Sequence, residues 1–304
     1  WTDLAGNFWL FGGSGYNATG VRGNLNDLWK YNISTNQWTW VKGSAQINTS
    51  SVYGTMGTPS SLNNPGGRGD GQTWIDAAGN LWLYGGWGKS TYVSYDACHS
   101  DLWKYNISNN MWTWVNGSQL PSQYPVFGSQ GVSSPTNSPG CKGMAPHWVD
   151  ASGNFWIFSG YNATGTEDDL WKYNVQANQW VWVKGSHTSV PVYGTKGIPS
   201  ATNTPGERYN AITWTDASGN FWLFGGEGYG TTSTYQLYND LWRYNTSTNM
   251  WTWVSGNNLV NQVGIYGTKG VSSPTNRPGA RRMATSWMDL NHGYLFLYGG
   301  QGFT

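Results

Sequence analysis

The plainest pattern in the chain is a short, nearly unbroken apolar run closed by small residues, seen at 79-86 (GNLWLYGG), 153-160 (GNFWIFSG) and 219-226 (GNFWLFGG). Such a run reads as a strand buried on both faces. Two alternating runs follow each one. The first is Asp-Leu-Trp-Lys/Arg-Tyr-Asn at 27-32, 101-106, 169-174 and 240-245, and the second is Trp-x-Trp-Val at 38-41, 112-115, 180-183 and 251-254. Alternation predicts half-buried strands, with Trp103 and Tyr105 on one face and Trp112 and Trp114 on another, joined by an Asn/Ser-rich turn. Ahead of each apolar run stands Trp-x-Asp, at Trp1, Trp74, Trp148, Trp214 and Trp287. The strand carrying it, residues 68-76 in the second copy, follows a Pro-Gly turn. Each period therefore predicts four short antiparallel strands in a meander.

The Trp-x-Asp spacings are 73, 74, 66 and 73 residues, so one unit is written four times and begun a fifth. The units run approximately 1-73, 74-147, 148-213 and 214-286, with a partial copy at 287-304. A lone meander cannot bury two aromatic faces, so each sheet must stack on its neighbours. Radial stacking of four-stranded sheets is a β-propeller.

The doubled glycine after an apolar strand, the Pro-Gly-x-Arg before the first strand and the Asn-Asp-Leu-Trp-x-Tyr-Asn strand resemble the kelch repeats of the galactose-oxidase-type β-propeller superfamily. The resemblance covers essentially the whole chain. It implies an all-β fold of kelch-like blades, about four and a half of them, within a single propeller or a portion of one spanning 1-304. Kelch units run at about 50 residues. These are longer because a segment at 53-66, 193-206 and 266-279 precedes each first strand. Its recurrence predicts common architecture.

Composition fits this reading. The 304 residues include 43 Gly and 22 Trp, only 10% are charged, and the formal net charge is +1. That balance offers no electrostatic footprint for nucleic acid or an anionic membrane surface. No apolar run approaches the ~18 residues needed to span a bilayer. The chain opens at Trp1 inside the pattern, which reads as a mature piece or an excerpt. Residues 1-13 and 287-300 share one phase, which predicts either further blades outside the chain or edges completed by another chain, the latter as in a filament.

All but one of the tryptophans recur at fixed repeat positions, which marks them as packing residues. Trp87 is the exception. It lies in the connection between second and third strands, which differs in every copy: 14-26 (SGYNATGVRGNLN), 87-100 (WGKSTYVSYDACHS), 161-168 (YNATGTED) and 227-239 (EGYGTTSTYQLYN). Variable loops on a repeated scaffold are where partners bind. Trp87, Tyr92, Tyr95, Tyr229 and Tyr235 are accordingly the candidate contacts for a protein or glycan. A basic residue recurs at Arg68, Lys142, Arg208 and Arg281, and an acid at Asp27, Asp101, Asp169 and Asp240. Buried charge-assisted bonds suit both sets, although spacing does not assign the pairs.

The histidines, His99, His147, His187 and His292, fall in different phases with no metal-ligand spacing. The copper-radical constellation of the family's best-known enzymes, with its thioether-linked Cys-Tyr and Tyr and His ligands, maps onto no residues here. The expectation is a non-catalytic protein without cofactor or metal. Cys98 and Cys141 both interrupt repeat positions that are otherwise not Cys, which predicts one disulfide contributing about 3–4 kcal/mol and an oxidising compartment. Seven Asn-x-Ser/Thr sequons occur, at Asn17, Asn32, Asn48, Asn106, Asn116, Asn162 and Asn245. Chance alone gives roughly six. Placement says more: Asn32, Asn106 and Asn245 share the turn between third and fourth strands, where a sugar would project outward. The whole reads as an extracellular or cell-surface structural or protein-interaction module. The alternatives are a carbohydrate-binding propeller, a subunit of an extracellular filament, and a disfavoured copper-enzyme portion.

Overall fold

The computed structural model of the chain describes residues 1–162, 167–185, 190–229 and 234–303, and among them there are antiparallel strands and turns but no helix. The chain divides into two compact units. One holds Trp1–Met144 with Asn162–Thr164 and Tyr173–Val181; the other holds Ala145–Tyr161, Gly165–Lys172 and Trp182–Thr304.

The second repeat forms the four-stranded meander that its pattern predicts. Gln72–Ile75, Leu81–Tyr84, Leu102–Asn106 and Met111–Asn116 pair in chain order. Ile212–Thr215, Phe221–Phe224, Leu241–Asn245 and Met250–Ser255 do the same in the fourth repeat. The first repeat has three strands, Phe8–Tyr16, Arg22–Asn32 and Gln37–Lys42. The third pairs His147–Val149 with Phe155–Phe158, and the last contributes a hairpin of Thr285–Asp289 and Tyr294–Tyr298.

The Trp-x-Asp signature has a local cause. Asp76 closes the turn into the second strand by accepting from Asn80 N at 2.9 Å and from the Trp82 indole at 2.8 Å. Asp3 with Trp9, Asp150 with Trp156 and Asp216 with Trp222 repeat this bond. One carboxylate thereby satisfies a turn amide and pins the tryptophan that packs on the next sheet.

Two sequence expectations need correction. Residues 68-76 do not form one strand: Asp70 sits at φ 63° and breaks it into Arg68–Gly69 and Gln72–Ile75. The short piece joins a separate three-stranded sheet with Trp87–Lys89 and Asp96–Cys98. Trp103 and Trp112 are also not on opposite faces. Trp112 lies opposite Tyr105, and Trp114 opposite Trp103, so the four rings share a side. Trp112 meets Tyr105 with centroids 5.1 Å apart.

The inserted segments lie along the outermost strand of the repeat that follows them. Asn63 Nδ2 donates to Trp112 O, and Gly57 N to Trp114 O. Likewise Asn203 bonds Trp251 O and Gly197 bonds Trp253 O on the outermost strand of the fourth repeat. These bonds occupy an edge that would otherwise offer unpaired carbonyls.

Candidate functional site

The recurring acids and bases are structural. Arg68 donates to Asp101 at 2.6 Å and Arg208 to Asp240 at 2.7 Å, with all four side chains buried. Each carboxylate also accepts an indole, from Trp103 or Trp242, and a phenol, from Tyr53 or Tyr193, that the inserted segment supplies. Burial opposes ionisation of Asp101, but the adjacent guanidinium outweighs it and holds the carboxyl below its usual range. Arg281 instead donates to the carbonyls of Gly279 and Gly299.

The loop candidates fall into two groups. In the first unit Trp87, Tyr92 and Tyr95 sit on one hairpin. Trp87 is half-buried, and its indole lies so close to Gly143 that a Cβ there would come within 2.5 Å of Trp87 Cδ1. Glycine is required at 143 for this approach, and Trp87 is consequently more of a packing residue than its place in the sequence predicts. Tyr92 and Tyr95 are 52% and 66% exposed, and the Tyr92 hydroxyl donates to Gln119 Oε1 at 3.2 Å.

In the second unit Tyr229 and Tyr235 come together, with ring centroids 4.3 Å apart and Tyr229 donating to the Tyr235 hydroxyl at 2.7 Å. Two tyrosines not singled out from the sequence complete the cluster. Tyr209 meets Tyr235 edge-on at 5.7 Å, and Tyr161 meets Tyr209 at 5.5 Å. Beneath them Glu227, buried, pairs with Arg282 and accepts from Asn210 Nδ2 at 3.0 Å. The backbone amide of Tyr229 donates to Glu207 Oε1 at 2.7 Å. Burial, and then the Glu227 charge, push the Tyr209 phenol well above its ordinary value, so it stays protonated at neutral pH. The cluster presents aromatic edges and hydroxyls around a fixed ion pair, an arrangement suited to recognition.

These extra residues had a faint signal. The residue after the doubled small pair is Ser14, Trp87, Tyr161, Glu227 and Gln301 in successive copies, and the residue after the recurring base is Gly69, Gly143, Tyr209 and Arg282. Both positions vary inside invariant surroundings. The loop residues at 163–166 and 230–233 lie outside the described residues.

Cys98 and Cys141 are both buried, free thiols joined by a side-chain hydrogen bond. Burial pushes the Cys98 thiol up, and the bond to Cys141 adds to it. Among the described residues no group of three or more His, Cys, Asp or Glu side chains is placed to hold a metal ion; His187 lies outside them. His292 bonds Asp289 through Nδ1 at 2.6 Å, while His99 and His147 are held below the usual imidazole range by burial.

The sequon asparagines differ in setting. Asn32 and Asn106 lie in partly exposed turns where their Oδ1 atoms accept backbone amides. Asn245 Nδ2 donates to Asn220 Oδ1 at 3.0 Å, and Asn116 Nδ2 donates to Asn178. Asn17 Oδ1 caps its own turn, and Asn48 is exposed. Asn162 is 4% exposed, and Thr164 of its sequon lies outside the described residues. A cleft of about 440 Å³ opens beside Asn116, between Met56, Tyr124 and Asn178.

No protein-family model matches the chain, and no curated protein matches it. Among solved structures the chain is similar to that of YjhT, with a TM-score of 0.60 and 15% identity over 98% of this chain and 75% of that one, a likeness of fold.

Proposed function

We propose that the chain is a kelch-like β-propeller, or a portion of one with about four and a half blades, acting as a non-catalytic extracellular interaction module. The partner is a protein gripped by the loops between second and third strands. The observation that carries this reading is the tyrosine cluster of Tyr161, Tyr209, Tyr229 and Tyr235 over the Glu227–Arg282 pair. Tyrosine combines large contact area with few rotatable bonds, and an ion pair beneath it fixes the rings before any ligand arrives. The recurring charges, by contrast, are spent on holding strands together.

A carbohydrate ligand is the second reading, favoured by the exposure of Tyr92, Tyr95 and Tyr235. Panning a displayed peptide library and probing a glycan array with the same protein separates the two. Protein recognition requires enriched peptides whose binding drops at least tenfold in Tyr235→Ala. Glycan signals that vanish in the same variant would replace the protein reading with the carbohydrate one. Binding on neither platform that depends on Tyr235 would remove the site.

A further inference from the structure

The repeats differ at one place where most copies are filled by a long polar side chain. At the end of its last strand the first copy carries Lys42, whose amine donates to Ser61 O at 3.0 Å and to Asn110 O at 3.3 Å. The third carries Lys184, which donates to Ala201 O at 2.5 Å. Each lysine thereby bridges from its strand to the inserted segment that follows. The second copy has Asn116 in this position. Its shorter amide donates instead to Asn178 O and Oδ1, at 3.1 and 3.0 Å.

A second filler is missing beside the first. Asn26 and Asn239, each just ahead of the recurring Asp, accept from Ser44 N and Asn257 N at 3.0 and 3.1 Å. The second copy has Ser100 there. That residue is 1% exposed, and its hydroxyl has no hydrogen-bond partner among the described residues. The fourth copy also lacks the lysine, having Ser255, but it keeps Asn239, and the third pairs Lys184 with Asp168 at these two positions. The second copy alone is short at both. The cleft of about 440 Å³ lies at this place, wholly within the first unit, and Ser100 and Asn116 both line it.

The other residues around the cleft depart from the repeat in a consistent direction. Tyr124, 70% exposed, stands where the other copies have Ser50, Val190 and Val263. Met56 stands where Lys196 donates to Gly256 O at 2.8 Å. Among the described residues no charged side chain lines the cleft, and its polar groups are amides and hydroxyls.

We propose that this cleft binds a neutral saccharide. An exposed phenol ring offers an apolar face to the C–H side of a sugar ring. Amides and hydroxyls both donate and accept, as every sugar hydroxyl does. A charged ligand would be desolvated here with no counter-charge to meet it. The volume falls within the ~300–1,000 Å³ of small-molecule sites, which suits a short saccharide. Asn116 Nδ2, the atom its sequon would glycosylate, is held by Asn178, so the sugar is a free ligand and not a glycan carried by the chain itself. Trp87, Tyr92, Tyr95, Tyr229 and Tyr235 do not line the cleft, and this inference stands apart from the proposed partner site.

The test uses the 304-residue chain, made without glycosylation, on an array of neutral and acidic glycans, with calorimetric titration of the sugars that bind. Neutral glycans should bind and acidic ones should not. Asn116→Lys and Tyr124→Val should each weaken binding at least tenfold. Both install a residue that other copies already carry at that position, so circular dichroism and the urea midpoint should stay unchanged. An array without neutral-glycan signals overturns the proposal, as does a preference for acidic glycans. Binding that survives Asn116→Lys but is lost in Tyr235→Ala would place the sugar on the loop cluster and overturn the cleft. A glycan found by peptide mapping on Asn116 of the secreted protein would overturn it as well, since the cleft would then be filled from the chain.

Discussion

Arg68 grips Asp101 with both guanidinium nitrogens, Nη1 at 2.6 Å and Nη2 at 3.0 Å, and neither side chain is more than 1% exposed. Arg208 and Asp240 repeat the fork at 2.7 and 3.1 Å. The pair ties the piece of chain before the first long strand to the start of the third strand, residues 33 apart in sequence. It sits under the loop hairpins and fixes where they emerge.

Removing one partner of a buried pair leaves an uncompensated charge and costs about 3–5 kcal/mol. Asp101→Asn should therefore lower the unfolding free energy by that amount, read as a fall in the urea midpoint at an unchanged slope. Asp27 occupies the same repeat position, and its bond is to the Trp29 indole at 2.6 Å. Asp27→Asn should cost about 1 kcal/mol, since an amide oxygen still accepts that indole. Equal losses in the two variants would show that the guanidinium contributes nothing.

Stability should fall in mild acid because of His99. Burial, reinforced by Arg68, lowers its native value to about 4 from 6.5. Between those two values the unfolded chain binds a proton that the native chain refuses, so stability drops as pH falls from about 6.5 to about 4. The loss is on the order of 3 kcal/mol, and His147, lowered by burial too, adds in the same direction. Urea midpoints measured across this window should be visibly flatter for His99→Gln than for wild type; parallel curves would contradict the assignment.

Cys98 and Cys141 are both buried free thiols of the first unit, and burial together with a side-chain hydrogen bond to Cys141 raises the Cys98 thiol. Protein secreted through an oxidising compartment should show no alkylatable thiol when denatured without reductant and two after reduction, by intact mass. Its denaturation midpoint should exceed that of the reduced chain by about 3–4 kcal/mol in stability terms. Two thiols before reduction would remove the bridge and the compartment inferred from it.

Expression through a eukaryotic secretory pathway should place glycans on Asn32 and Asn106, whose turns are open. Asn245, in the same repeat position, must first release Asn220, and should be occupied less fully. Asn162 is buried and should stay bare, as should Asn174, which is followed by Val175 and Gln176. Peptide mapping reads all five at once, and a fully occupied Asn162 would contradict its placement.

Much of this protein was legible in one dimension. Strand positions, the repeat unit and the packing tryptophans follow from periodicity, because a side chain buried in every copy must be apolar in every copy. The match of Asp101 with Arg68, and of Asp240 with Arg208, was visible as two recurring sets but not as pairs, since spacing along a chain does not say which carboxylate a fold brings to which base. Only tertiary structure decided that Asp70 breaks the first strand, that Trp87 rests on Gly143 rather than standing free, and that Tyr161, Tyr209, Glu227 and Arg282 gather around Tyr229 and Tyr235. Hydrophobic pattern determines which face of a strand seeks cover; whether another sheet is there to cover it is a property of the assembled chain.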